Sequence, residues 1–331
     1  MSFVPAYIVS ITPADAGRRV SVRSRTDDAM LTDVVGDLLE WSDGVLRIRR
    51  RDGSIAEVAE DRLVAGKIVP ASPARSAPLS AHTAIDQLEL EEIASRGWLG
   101  LESRWLGRWL LRASEGFTGR GNSVLPLGDP GRPLDDALAE VTQWYGERGL
   151  PGRFQMPLPV MYLVDEGLAA RGWRAYDLTH VMTGSVSALR ELVPARNDLP
   201  PVEYSDSVSD EWMTLYHYRG RELPPIARRV LGAAERPVFA SVRDGGRVIA
   251  IVRGALAGGW LGVTALEVLP SARRRGLGSH VMHGLAEWAA DHGVRSIYLQ
   301  VDTANEVGVR FYDRLGFYRH HQYQYRLAPD H

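Results

Sequence analysis

The sequence predicts a mixed α/β protein preceded by a small β-barrel, and three patterns lead to this prediction. Residues 17–70 hold four or five short alternating strands, which is typical of a small barrel. Residues 260–302 follow the order strand, glycine turn, helix, strand. Residues 138–173 resemble residues 285–317, and from Trp144 onward the matching glycines and aromatic residues keep a constant offset of 144, which predicts a duplicated unit.

Composition excludes several classes of protein. The 331 residues are 45% hydrophobic and 24% charged, which is ordinary for a globular protein of two or three domains. The absence of cysteine excludes disulfides, cysteine metal sites and a cysteine nucleophile. The formal net charge of −2 argues against general nucleic-acid binding.

The sequence also bears on localisation. No apolar run reaches the ~18 residues that a membrane helix requires, and residues 1–12 lack the basic start of a signal peptide. We therefore expect a cytoplasmic protein with no membrane partner. Lys67 is the single lysine among many arginine, alanine and glycine residues, which suggests a GC-rich bacterial genome.

The first predicted domain, residues 1–70, is an SH3-like barrel. Alternation predicts strands at 19–25, 33–41, 45–50 and 55–58, with a hairpin turn at Asp52-Gly53. A basic cluster lies on the third strand and the turn after it, at Arg47, Arg49, Arg50 and Arg51. Residues 15–67 hold ten basic and eleven acidic residues, which favours a solvated strand face over a nucleic-acid contact.

The rest of the chain divides into a linker and two units. Residues 71–82 are rich in proline, serine and alanine and form the predicted linker. A helix is predicted over 83–96, at the start of a middle unit that spans 83–197. The last unit, 198–331, contains a predicted hairpin over 238–256 and the chemistry-bearing motifs.

Residues 273–279, Arg-Arg-Arg-Gly-Leu-Gly-Ser, form the most informative motif. Glycines two residues apart allow a tight turn with inward N–H groups, and the helix that follows adds the positive end of its dipole. Arginine adds fixed positive charge. The motif therefore predicts a seat for a pyrophosphate, although such a string taken alone also fits an exposed basic turn.

The residues after this motif give it a wider context. A predicted strand at 296–302 precedes Asn305, then Phe311-Tyr312 and Leu315-Gly316-Phe317. This order and spacing resembles the GNAT superfamily of acyl-CoA-dependent N-acetyltransferases. The resemblance covers about residues 200–327. It implies a GNAT fold, acetyl-CoA as co-substrate, and a fourth strand that separates from the fifth to admit the pantetheine arm.

The resemblance also implies the residues that bind the co-substrate. The strand supplies backbone contacts, and the N–H of Val268 is the expected oxyanion donor. The expected cofactor-binding residues are Leu266, Glu267, Val268, Arg273, Arg274, Arg275, Gly276, Leu277, Gly278, Ser279, Asn305 and Tyr312.

Two of these residues have alternative explanations. Asn305 either holds the pantetheine or caps the next helix, and it can do both. Tyr312 lies two helical turns further on and faces the same side. By resemblance its phenol donates a proton to the leaving thiolate. Core packing beside Phe311 and Phe317 is the alternative.

An amine acceptor must lose a proton before it attacks, since a lysine-like amine has a pKa of ~10.4. Glu267 is the preferred catalytic base, because it interrupts an apolar strand beside the expected thioester. A solvent-facing or ion-paired Glu267 is the alternative. Asp302 and water are the other candidate bases. No metal-binding spacing is present, so no metal is expected.

The duplication also predicts which site residues the middle unit lacks. At an offset of 144, the glycine motif maps onto a segment with two prolines and Asp129, Asn305 maps onto Met161, and Tyr312 onto Leu168. Prolines remove N–H donors and the aspartate adds negative charge. The middle unit is therefore a GNAT-like unit without a cofactor site, which resembles tandem-GNAT enzymes.

The resulting hypothesis is an N-acetyltransferase that passes acetyl directly from CoA to a primary amine in a ternary complex. The aromatic residues near the acceptor side favour a small-molecule acceptor. The alternatives are a protein or peptide acceptor, a non-catalytic acyl-CoA sensor, and a nucleic-acid-associated acetyltransferase. The acceptor, the acyl length, the role of the barrel and the oligomeric state do not follow from the sequence.

Overall fold

The computed structural model of the chain describes residues 9–26, 31–50, 54–69, 85–218, 220 and 222–329. The chain forms two compact units, Met1–Pro78 and Leu79–His331. The predicted linker and the predicted Asp52-Gly53 turn lie outside the described residues. None of the described helices is both long and apolar enough to cross a membrane.

The first unit is an antiparallel sheet of five strands: β1 (Arg19–Arg25), β2 (Leu31–Ser42), β3 (Val45–Arg50), β4 (Ile55–Ala59) and β5 (Leu63–Ile68). Their order in the sheet is β4-β3-β2-β1-β5. Alternate side chains form the core, where Val20, Val22, Leu38, Leu46 and Ile48 are fully buried. The period-two alternation that predicted these strands is thus the buried face of the sheet.

Two arginines of the basic cluster, Arg47 and Arg49, are paired with acids, and Arg51 lies outside the described residues. Arg47 contacts Glu57 at 3.0 Å and Glu40 at 3.3 Å, and Arg49 lies 3.6 Å from Asp37. These are exposed pairs on neighbouring strands, so each contributes little to stability. These acids balance the positive charge of Arg47 and Arg49.

The second unit contains eleven described strands: β6 (Glu102–Leu106), β7 (Trp109–Ala113), β8 (Leu125–Pro126), β9 (Arg153–Leu158), β10 (Arg174–Ser185), β11 (Val202–Ser205), β12 (Arg236–Asp244), β13 (Arg247–Ala257), β14 (Trp260–Val268), β15 (Ser296–Asp302) and β16 (Tyr318–Leu327). Its described helices are α1 (Gln87–Gly97), α2 (Leu134–Gly146), α3 (Tyr162–Ala169), α4 (Val186–Leu192), α5 (Asp210–Leu215), α6 (Ala227–Gly232), α7 (Leu277–Asp291) and α8 (Glu306–Arg314).

Eight of these strands form one sheet, in the order β11-β12-β13-β14-β15-β10-β16-β9, and β6, β7 and β8 form a smaller one. Within the described part of the large sheet, β14 and β15 are the parallel pair, and the other neighbours are antiparallel. Helix α7 packs its apolar face on β12, β13 and β14. The glycine motif therefore lies at the end of β14, at the start of this buried helix.

The duplication predicted from the sequence is visible in the order of the elements. The series α2, β9, α3, β10 recurs as α7, β15, α8, β16. Helix α3 begins at Tyr162 and α8 at Glu306, while β10 begins at Arg174 and β16 at Tyr318, an offset of 144 residues in both cases. The two copies thus have the same local folding pattern despite their different polar residues.

The two copies exchange their last strands. Strand β10 of the middle half pairs with β15 of the last half, from Thr179 opposite Asp302 to Ser185 opposite Ser296. Strand β16 in turn pairs with β9, and β10 and β16 pair with each other. Because each half completes the sheet of the other, residues 85–329 form one folding unit in which the predicted boundary near residue 197 lies between strands of a shared sheet.

A buried polar network lies at this junction. The carboxylate of Glu91, on α1, is 3.1 Å from Nε2 of His321 and accepts a hydrogen bond from Gln155 at 2.8 Å. Gln155 accepts in turn from Arg112 at 2.9 Å. Each of these side chains is buried, and His321 belongs to the last half while the other three belong to the middle half. The network therefore fixes the two halves to each other through charged hydrogen bonds.

Candidate active site

The glycine turn between β14 and α7 is open to solvent. Gly276 has a left-handed backbone (φ 84°) at the start of α7, which glycine adopts without strain. No side chain caps the helix, and among the described residues the N–H groups of Leu277, Gly278 and Ser279 donate to no partner. Free N–H groups at the positive end of a helix dipole form an arrangement that suits an anion.

Helix α7 holds this turn in place because one side of it is deeply buried. Leu277, Val281 and Leu285 recur every four residues and pack in the core. Burying each such side chain contributes about 1.5–3 kcal/mol. His280 is also buried, with Nε2 2.9 Å from the carbonyl oxygen of Pro200, and His283 lies beside it in the same helix. These two histidines pack within the fold.

Strands β14 and β15 separate beyond their first four residue pairs. The parallel register runs from Trp260–Ser296 to Val263–Leu299 and then stops, although β14 continues to Val268 and β15 to Asp302. The cause is a bulge in β14. Ala265 has a φ of 54°, and the register with β13 shifts between Ile251 and Arg253. A bulge bends its strand, and here it leaves a cleft beside the glycine turn.

The backbone of Val268 faces this cleft. The N–H of Leu269 donates to the carbonyl of Ile249 at 2.9 Å. From that position, hydrogen-bonded and non-hydrogen-bonded residue pairs alternate along β13 and β14. The alternation directs the N–H and carbonyl of Val268 away from β13, while those of Glu267 face Ile251. The Val268 carbonyl accepts a hydrogen bond from Nε of Arg273 at 3.1 Å.

Helix α8 carries Asn305 and Tyr312. Oδ1 of Asn305 accepts a hydrogen bond from the N–H of Gly308 at 3.0 Å, so the predicted helix cap is present. The ring of Tyr312 packs between Phe311 and Phe317, with centroids 5.2 and 5.8 Å away. Burial raises the pKa of Tyr312 to about 12. Its hydroxyl makes no hydrogen bond with the part of the chain that the structure describes.

The side chain of Glu267 lies on the other face of β14 from Val268. Its Oε2 accepts a hydrogen bond from the N–H of His217 at 3.2 Å. Both residues line a cavity of about 590 Å³ that is bounded by α5, the turn between β12 and β13, and the end of β14. The lining residues are Glu211, Thr214, Leu215, His217, Gly220, Gly246, Arg247, Val248, Glu267, Val268, Leu269, Pro270 and Arg273. Asp302, the second candidate base, accepts instead from the N–H of Ala304 at 2.9 Å.

The equivalent turn in the middle half is built differently. Asp129 accepts a hydrogen bond from the N–H of Gly131 at 2.6 Å, so its carboxylate already occupies a turn N–H. Met161 begins α3 without a side-chain hydrogen bond, and Leu168 is fully buried. The middle half thus has the backbone plan of the site without its polar groups.

Two residues near the site, Arg196 and His217, lie outside the motifs that the sequence analysis identified. Nη1 of Arg196 lies 2.8 Å from the position that a Cβ on Gly276 would take. Asp198 holds this side chain through two hydrogen bonds of 2.6 Å, and the guanidinium lowers the pKa of Asp198 to about 2. His217 lies against Glu267 as described above. Both residues precede the glycine motif by 50 residues or more, so only the folded chain brings them there.

Two family models match the chain. The model described as the C-terminal region of the probable histone acetyltransferase Rv0428c matches residues 85–326. The model described as the Rv0428c N-terminal Sm-like domain matches residues 14–67. The probable histone acetyltransferase Rv0428c of Mycobacterium tuberculosis is 29% identical over 323 residues, which cover 94% of this chain and 95% of that protein. The uncharacterized N-acetyltransferase YobR of Bacillus subtilis is 26% identical over 258 residues, 73% of this chain and 98% of that one.

Solved structures share the fold. A GCN5-related N-acetyltransferase from Kribbella flavida superposes with a TM-score of 0.55 and 16% identity, over 74% of this chain and 96% of that chain. A tandem GNAT protein from the clavulanic acid biosynthesis pathway superposes with a TM-score of 0.52 and 14% identity, over 63% and 76%. The predicted GNAT fold, its duplicated arrangement and the small N-terminal β module are thereby confirmed.

Proposed function

Because the chain belongs to the family of the probable histone acetyltransferase Rv0428c and is an acyltransferase of the GNAT type, we propose that it transfers acetyl directly from acetyl-CoA to a primary amine. The observation that carries the proposal is the cleft between β14 and β15, which lies beside an open turn of unpaired N–H groups. A thioester on a long polar arm fits a cleft that exposes strand backbone and ends at an anion seat.

The glycine turn would hold the pyrophosphate. The N–H groups of residues 277–279 would donate to its oxygens, and Arg274 and Arg275 are exposed beside them. Arg196 adds a cation from outside the motif, since Nη1 points at Gly276 while the rest of its guanidinium is held by Asp198. A buried turn would leave no room for a phosphate, and this turn is exposed.

The cleft would hold the pantetheine arm. Val268 would donate its N–H to the thioester carbonyl oxygen, and its carbonyl would exchange Arg273 for an amide of the arm. Leu266 lies beside the bulge, and Asn305 can offer its amide N–H while Oδ1 remains in the helix cap. The backbone of Glu267 serves the ladder with β13, so its contribution to the site is its side chain.

Tyr312 would donate a proton to the leaving sulfur. With a pKa of about 12, its phenol stays protonated at neutral pH. A CoA-like thiol has a pKa of ~8.5, so a free phenolate is the less stable product. The proton that Tyr312 gives must therefore be replaced at once, and the nitrogen of the forming amide has one to give.

Glu267 is the better placed of the two candidate carboxylates for the basic step. It faces a cavity with room for an acceptor, whereas Asp302 is engaged in the turn after β15. The cavity volume of about 590 Å³ suits a small amine. A lysine side chain of a protein is the second candidate acceptor, because the relative Rv0428c is named a probable histone acetyltransferase.

The test combines binding with turnover. Titration calorimetry measures the affinity of the protein for CoA. Thiol release from acetyl-CoA, with small amines and a lysine-containing histone peptide as acceptors, measures acetyl transfer. We expect CoA binding and faster thiol release with at least one amine. CoA binding without amine-dependent thiol release would support an acyl-CoA sensor instead, and absence of CoA binding would overturn the proposal.

A further inference from the structure

His217 lies at the wall of the cavity, with its side chain 54% exposed. It follows α5 by two residues, and Trp212 anchors that helix in the core, with Nε1 donating to the carbonyl of Ala240 at 3.3 Å. The backbone N–H of His217 donates to Oε2 of Glu267 at 3.2 Å. Main chain and carboxylate together therefore hold the imidazole at the wall of the cavity.

The hydrogen bonds of the ring determine its tautomer. Nδ1 lies 2.9 Å from the carbonyl oxygen of Leu215 and 3.4 Å from Oε2 of Glu267. Both oxygens only accept, so the proton of the neutral imidazole is on Nδ1. Nε2 then carries the lone pair, and it makes no hydrogen bond with the described residues. An imidazole whose Nδ1–H is held by a carboxylate is the form that acts as a base.

We propose that His217 is the base that deprotonates the acceptor amine, with Glu267 as the residue that orients it. The proposal rests on the proposed acetyltransferase function and assigns its basic step to Nε2 of His217 instead of the carboxylate of Glu267. An unperturbed imidazole, with a pKa of ~6.5, lies about four pKa units below a lysine-like amine, whereas a glutamate lies about six below it. The imidazole is therefore the more effective acceptor of that proton.

Nε2 of His217 takes one proton from the ammonium group, and the amine nitrogen forms a bond to the thioester carbonyl carbon. The carbon–sulfur bond breaks and the sulfur takes the proton of Tyr312, which recovers one from the new amide nitrogen. His217 then releases its proton to solvent. The products are the amide, the free thiol and one proton.

Four charged side chains of the described residues line the cavity around His217. Glu267 lies on β14, Glu211 on α5, Arg247 on β13 and Arg273 in the glycine turn, and all four line the same cavity. The two acids favour the imidazolium form and the two arginines oppose it.

The experiment measures turnover at saturating acetyl-CoA and acceptor between pH 5 and 9, with the acceptor found in the amine panel. We expect wild-type turnover to fall below about pH 6.5. His217→Asn keeps a donor for the Leu215 carbonyl but has no base, so it should lose about 100-fold in turnover together with this inflection. Glu267→Gln should keep the inflection and move it to lower pH.

The matched control is His292→Asn. His292 is exposed at the end of α7, and its Nδ1 also lies near a carbonyl oxygen, that of Trp288 at 2.7 Å. It should leave turnover and pH profile unchanged. CoA affinity of every variant is measured by calorimetry, and unchanged affinity shows that His217→Asn is folded.

Three results would overturn the inference. The first is a wild-type profile without an inflection near pH 6.5, which requires no variant. The second is an unchanged profile in His217→Asn. The third is loss of the inflection in Glu267→Gln alone, which would make Glu267 the base. Failure of the wild-type protein to bind CoA would instead refute the proposed function.

Discussion

The two halves of the eight-stranded sheet share an order of elements but differ in every polar group of the candidate site. In the last half, an open glycine turn leads into α7, and Asn305 and Tyr312 follow. In the middle half, the turn N–H of Gly131 is occupied by Asp129, and Met161 and Leu168 stand where the amide and phenol would be. The comparison teaches that the same order of helices and strands forms without these polar groups, so the fold does not require them.

The largest effect should come from breaking the junction between the halves. Glu91→Ala removes the partner of buried His321 and Gln155, which should lower the free energy of unfolding by about 3–5 kcal/mol. Glu92→Ala is the matched control, because Glu92 pairs with Arg108 on the surface and should cost about 0–1 kcal/mol. Chemical denaturation measures both. Equal costs would mean that the network does not hold the halves together.

Gly276→Asp should make the glycine turn of the last half resemble the equivalent turn of the middle half. A side chain at a φ of 84° strains the turn by about 1–2 kcal/mol, and the carboxylate repels phosphate, so CoA affinity should fall by at least about 100-fold. Gly131→Asp makes the same change at a φ of 76° in the middle half and should leave CoA affinity unchanged. Calorimetry measures the CoA affinity of both variants. Equal affinities would contradict the assignment of the glycine turn at Gly276 as the pyrophosphate site.

Tyr312→Phe should affect turnover without affecting binding. Loss of the phenol removes the proton donor to sulfur, so we expect turnover to fall about 10- to 100-fold. The ring still packs between Phe311 and Phe317, so CoA affinity should stay within about two-fold. Tyr318→Phe, at an exposed tyrosine of β16, is the control. Normal turnover in Tyr312→Phe would mean that Tyr312 contributes core packing and is not the proton donor.

Arg196→Ala should give the smallest of these effects. Removing one exposed cation beside the turn should weaken CoA binding about three- to ten-fold, more at low salt than at high salt. Arg190→Ala is the control, because Arg190 is equally exposed and paired with Glu287 on the outer side of α7. The ratio of the CoA dissociation constants of the two variants measures the effect. A ratio of one would mean that Arg196 does not contribute to pyrophosphate binding.

Local pattern predicted much of this architecture. Strands β1, β3 and β15 have the predicted bounds, because alternation and turn residues act within a few positions. Helix α7 begins at Leu277, inside the glycine motif, where the turn glycines obscure the helical pattern. The small N-terminal β module was also predicted, and the matching family is described as Sm-like.

Long-range pairing could not be predicted in this way. The exchange of β10 and β16 depends on which strand lies beside which, and alternation does not encode a partner. His217 and Arg196 reach the site through the end of α5 and the segment before β11. The motif around residue 276 was visible because its parts are consecutive, whereas these two contacts exist only after folding.

The exchanged strands have a consequence for how this protein responds to dilution. Two separate subunits that lent each other a strand would dissociate at low concentration and lose their fold. Here one polypeptide carries both partners, so the effective concentration of each for the other is set by the chain and not by the solution. The middle half thus behaves as a tethered subunit, and truncating it would expose the edge of β15 rather than release a smaller enzyme.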